Sequence, residues 1–175
     1  MIKLLSKNIL LIALLLSTVY TYGQRKQRLA DKDTKQWHYD IECVNTAKQG
    51  FKLVKVWSYS KKPKYAVSQS FKNAVHGIIF KGFTEQGRSC TAFRALMNKP
   101  MTEKEYNAFF KDFFLDSGEY NLYVTDAENG AIVPEDIQKV DKKMYKIGVV
   151  VSINTDALRK RLEDEGIITG LTTGF

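Results

Sequence analysis

The stretch Lys143-Met144-Tyr145-Lys146-Ile147-Gly148-Val149-Val150-Val151-Ser152-Ile153 decides the fold class. Tyr145, Ile147, Val149, Val151 and Ile153 fall on every second residue, the period of a strand that lays one face on a core. Asn154 or Thr155 then caps a helix that runs to about Glu165, and Gly166 stands where the C′ residue of that helix belongs. A strong strand feeding straight into a helix needs other strands beside it.

Those strands lie upstream. Asn121 to Asp126 reads as a strand, Asn129-Gly130 as a two-residue hairpin turn because both positions tolerate positive φ, and Ala131 to Val133 as a return strand shortened by Pro134. Near the other end, Trp37, Tyr39, Ile41 and Cys43 alternate with His38, Asp40 and Glu42. Thr46 to Gly50 makes a turn, and Phe51 to Tyr59 forms the second arm of a hairpin, with Phe51, Leu53, Trp57 and Tyr59 on one face and Val54 and Val56 on the other.

Helices fill the space between. Pro63 opens a helix from Lys64 to about His76 on the spacing of Val67, Phe71, Ala74 and Val75; Gly77 is placed to end it, and Ile78 to Phe80 fits strand or helix equally. Phe83 to Pro100 reads as a loop. Thr102-Glu103-Lys104-Glu105 is a capping box that opens a helix with the apolar stripe Tyr106, Phe109, Phe110, Phe113 and Phe114, closed by Gly118. The sum is an α+β domain: a mostly antiparallel sheet of about five strands with two to three helices packed on one face. Its expected core is Trp37, Tyr39, Phe51, Leu53, Phe71, Val75, Phe110, Phe113, Val149 and Val151.

The chain has 175 residues, 44% hydrophobic and 26% charged, which suits one domain and excludes a disordered or multi-span membrane chain. Residues 1–23 read as a signal peptide: Lys3 and Lys7, the apolar run Ile9 to Leu16, and small residues at Thr21 and Gly23. That apolar run is too short for a permanent span. Cleavage leaves a flexible lead at 24–35 and a single domain at 36–175, with no transmembrane anchor. It removes two lysines and no acid, so the net charge falls from +8 to +6. The basic groups are dispersed among acids, which argues for a solvated surface rather than a specific nucleic-acid stripe. Two cysteines, Cys43 and Cys90, are most simply a disulfide in an exported chain.

Chemistry is sparse. No phosphate loop, zinc-binding helix motif, nucleophile elbow or Cys-x-x-Cys pair occurs, so no catalytic residue, metal or cofactor is assigned. His76 reads as a helix-terminal residue and His38 as exposed. Asp40 and Glu42 share the face of His38, and Asp126, Glu128, Glu135 and Asp136 surround the turn, without the ordered spacing of a calcium loop. Contact residues are sought on loops held by the scaffold: Arg88 to Arg94, and the Asn129-Gly130 tip.

The segments Leu53 to Pro63, Asn73 to Gly82 and Ala157 to Glu163, with Gly166-Ile167-Ile168, resemble a family of exported single-domain proteins of Bacteroides-type bacteria. The resemblance implies export and one domain, and carries no catalytic residue. Together these readings point to an exported periplasmic or extracellular protein. It is expected to act by binding, without catalysis, as an accessory to an envelope assembly with a protein partner. The alternatives are a small Cys/His hydrolase and a binder of anionic polymer, either DNA or glycan.

Overall fold

The computed structural model describes residues 37–61, 63–85, 89–97, 105–129 and 131–170. The expected signal peptide, the lead at 24–35, Arg88, Thr102, Glu103, Lys104 and Gly130 lie outside them.

Five strands form one sheet, and every pairing is antiparallel. β5 (Met144–Asn154) runs through the middle, paired along its length with β2 (Phe51–Ser60), from Phe51 opposite Asn154 to Ser60 opposite Tyr145. β1 (Tyr39–Asn45) lies outside β2. On the other side of β5, β3 (Val124–Asp126) and β4 (Ile137–Asp141) follow each other along the same edge. Three helices complete the described fold: α1 (Pro63–Phe80), α2 (Asn107–Phe113) and α3 (Thr155–Asp164). This is the α+β architecture expected.

One cluster joins both layers. Val54 and Val56 of β2 and Ile147, Val149, Val151 and Ile153 of β5 meet Val75, Ile78, Phe110, Phe113, Leu158 and Leu162. Burial of this apolar surface supplies the main drive to fold. Of the expected core, Tyr39, Val75, Phe110, Phe113, Val149 and Val151 are buried, while Trp37, Phe51, Leu53 and Phe71 are half-buried. The inner face of β2 is Val54, Val56, Ser58 and Ser60, and the larger residues take the opposite face. Ser58 can be inner because α1 meets it with polar atoms: its Oγ lies 2.9 Å from Ser70 Oγ and accepts a bond of 2.9 Å from Asn73 Nδ2.

α1 passes through Gly77 and continues to Phe80, so Ile78 to Phe80 is helix. Gly77 is there for proximity: a Cβ on it would stand 2.8 Å from Ile41 Cδ1, and the missing side chain lets the helix lie against β1. The stop is Gly82, at φ 67°, whose N–H bonds the Gly77 carbonyl at 2.7 Å. Lys72, also on α1, is buried and holds Asp116 at 2.6 Å.

The hairpin expected at Asn129-Gly130 is not one. Asn129 has φ 54° in a turn between β3 and β4, strands that share an edge without pairing to each other. Of the strand expected at Asn121 to Asp126, Val124–Asp126 forms β3 while Asn121 and Leu122 belong to a 3₁₀ turn, 119–122, and Ala131 to Val133 is irregular. Pro134, which has no N–H to give a ladder, opens a second 3₁₀ turn, Pro134–Asp136, and pairing resumes only at β4. The β4–β5 hairpin turns instead at Lys142 and Lys143. At the end of β5, Asn154 is the cap of α3: its Oδ1 accepts from Ala157 N at 3.1 Å.

Candidate functional site

Cys43 and Cys90 are joined, their Cα atoms 5.8 Å apart. The bond fastens the loop after α1 to the end of β1, at the margin where the β1–β2 turn and the first turn of α3 also meet. The three segments enclose a cleft of about 440 Å³. Cys43 and Thr46 to Lys52 form one wall, Ser89, Thr91 and Phe93 a second, and Thr155, Asp156 and Arg159 the third.

Local folding explains each wall. Lys48 to Gly50 turns tightly, with Phe51 N bonded to Lys48 O at 3.0 Å. Gly50 O in turn accepts from Thr155 N at 2.9 Å and Thr155 Oγ1 at 3.0 Å, so the turn is tied to the start of α3. Phe93 pairs by backbone with Phe83, both ways at 2.9 Å, which brings its ring to the cleft. The free amides of α3 are occupied by Gly50 O and Asn154 Oδ1. The positive character of the cleft therefore comes from side chains.

Lys48, Lys52 and Arg159 face one carboxylate, Asp156. Lys48 Nζ sits 4.1 Å from the centroid of the Phe51 ring and Lys52 Nζ 5.5 Å from that of Phe93, a cation–π arrangement. Neither lysine makes an ion pair with a described residue, and Arg159 reaches Glu163 only at 3.8 Å. Some cations elsewhere are matched closely: Lys55 with Asp136 at 2.8 Å, Lys146 with Asp40 at 2.8 Å, Arg161 with Glu119 and with Glu165 at 2.6 Å. The lining of the cleft thus carries more positive than negative charge. Comparison with protein-family models, curated proteins and solved structures finds no match. The chemistry of the site has to be read from its own side chains.

Of the contact residues expected from the sequence, Arg94 is exposed on the disulfide-held loop next to Phe93, and Asn129 belongs to the turn after β3 and does not line the cleft. Lys48, Lys52, Asp156 and Arg159 were not singled out by sequence; the nearness of two lysines to a paired cysteine and a tight turn was the available signal. The acids near His38 are spread over different partners: Asp40 to Lys146, Glu42 to Trp57 Nε1 at 2.7 Å, while the His38 ring stacks on Tyr59 at 4.2 Å. Asp126 accepts from Glu128 N at 2.8 Å.

His76 is a correction. It lies inside α1, buried, with its ring stacked 3.7 Å from Trp37 and its Nδ1 hydrogen-bonded to Tyr39 OH at 2.6 Å. Burial, helped by the Lys81 ammonium, pushes its pKa from 6.5 down to about 3. His76, held neutral so far, is a poor general base, and the two cysteine sulfurs are bonded to each other, so neither is a free thiol for a Cys/His hydrolase. The shift has a consequence for stability. The unfolded chain takes up a proton near pH 6.5 that the folded chain refuses until about 3. Stability is therefore full above pH 6.5 and declines as pH falls, by about 2 kcal/mol between pH 7 and pH 5. Urea unfolding at the two values should show this decline in the wild type and a much flatter response in His76→Gln. Equal slopes in the two proteins would exclude His76 as its source.

Proposed function

We propose that the chain is an exported, non-enzymatic binding domain of the cell envelope, an accessory to a periplasmic or cell-surface assembly, and that it engages its target through the cleft beside Cys43–Cys90. One observation carries the reading: Lys48, Lys52 and Arg159 gather with a single carboxylate, Asp156, in a cleft fixed by a disulfide. An excess of positive charge in a concave, half-apolar site favours an anionic partner and steers its approach. A disulfide agrees with the oxidising side of a membrane, and no helix among the described residues is long and apolar enough to cross one.

The test is capture from envelope extract under mild cross-linking, with the wild type and with Lys48→Glu, Lys52→Glu, Arg159→Glu combined. All three side chains lie at the surface of the cleft, so circular dichroism should report an unchanged fold. Recovery of the captured material should fall at least about tenfold in the variant, as expected when facing charges are made alike. Equal recovery by both proteins would remove the cleft from the account.

A further inference from the structure

The lining of the cleft narrows the class of anion. Around Lys48, Lys52 and Arg159 stand neutral hydrogen-bonding side chains: Asn45, Thr46, Gln49, Ser89 and Thr91. Amides and hydroxyls at this density match a ligand that carries many hydroxyl groups, each able to give and accept a bond. The two rings tell against a nucleic acid. Bases are held on single strands by stacking on open aromatic faces. Here the face of Phe51 is covered by the Lys48 ammonium and that of Phe93 is approached by Lys52. What those rings do is hold the ammonium groups over the cleft, where they meet charge. The volume, about 440 Å³, lies in the range of sites for small organic ligands of roughly 300–1,000 Å³ and exceeds what a single inorganic ion needs.

We infer that the cleft binds an acidic saccharide, a short run of sugar residues bearing carboxylate or sulfate groups. The inference rests on the reading of the cleft as the contact site and adds the class of ligand. Lys48, Lys52 and Arg159 take the anionic substituents, while Asn45, Gln49 and Thr91 take ring hydroxyls. Asp156, the one acid of the lining, suits a hydroxyl donor and repels an anionic group set directly against it.

Titration calorimetry with the intact, disulfide-bonded protein tests this. The probes are tetragalacturonate and a heparin-derived tetrasaccharide as acidic sugars, the methyl-esterified tetragalacturonate as the neutral control, tetraglutamate as charge without hydroxyls, and a tetrathymidylate as the nucleic acid. At least one acidic sugar should bind. The esterified sugar and tetraglutamate should each be weaker by at least about tenfold, since one loses the charge pairing and the other the hydroxyl pairing. Lys48→Gln and Lys52→Gln should each weaken the acidic sugar about threefold to tenfold, and more salt should weaken it further. Binding by neither acidic sugar overturns the saccharide class, as does equal or tighter binding of tetraglutamate or tetrathymidylate. The cleft itself still stands in those cases if capture from envelope extract remains sensitive to the three charge reversals. Acidic-sugar binding that ignores both glutamine substitutions overturns the placement of the sugar in the cleft.

Discussion

Asp116→Ala should cost about 3–5 kcal/mol of folding stability, because it breaks an ion pair with a buried ammonium. The Lys72 ammonium is buried beneath the core face of α1, 2.6 Å from Asp116 Oδ1 and 5.6 Å from the centroid of the Tyr120 ring. The ring adds a diffuse attraction to that of the carboxylate. With the carboxylate gone, the buried ammonium loses an ionic partner that it cannot recover from bulk water. Asp116→Asn keeps an acceptor without the charge and should fall between the wild type and the alanine variant. The converse is as informative. Lys72→Met combined with Asp116→Leu removes both charges and should recover most of the loss, since a buried ion pair is often no more stable than apolar residues of like volume. Urea unfolding of the four proteins decides it: if Asp116→Ala costs less than about 1 kcal/mol, the pair is effectively solvated.

Cys43→Ser with Cys90→Ser should cost about 4 kcal/mol, on the chain-entropy account of a cross-link closing 47 residues. The loss of binding should be larger than stability alone explains. Ser89, Thr91 and Phe93 reach the cleft on the loop that Cys90 fastens to β1, so cutting the bond releases a wall of the site as well as a constraint on the unfolded chain. A serine variant that is folded at low temperature should therefore bind less well than the wild type under the same conditions. Unchanged affinity in that folded variant would show that Phe83 and Phe93, paired through their backbones, are enough to hold the loop.

What the sequence disclosed follows from where its signals arise. β5 was plain because one face of it is buried almost without remainder, and burial on one face is what writes alternation into a sequence. The cystine was plain from the presence of two cysteines in a chain expected to be exported. β4 was illegible for the opposite reason: all five of its residues are exposed, so nothing selects a period in Ile137-Gln138-Lys139-Val140-Asp141. Asn129 looked like a hairpin because the turn rule is local, while its neighbours pair with β5 rather than with each other. Gly77 looked like a helix end because glycine costs a helix stability; contact with Ile41, which decides its place, is set by a strand 36 residues earlier. The cleft had no single motif to find. It exists only where the stretches around residues 43–52, 89–93 and 155–159 converge.

Two of the outer strands, β1 and β4, carry one more implication. A sheet whose margins are bare invites a neighbouring molecule to continue it, the first step of ordered precipitation. In β1 the Tyr39 carbonyl is engaged by Lys81 Nζ at 3.3 Å, and the register slips between Cys43 and Asn45. In β4 the register slips between Lys139 and Asp141, and Lys142 and Lys143 follow at the turn. Both of these strands are crooked and flanked by charge where a straight template would be needed, so they give crowded molecules little to copy from one another.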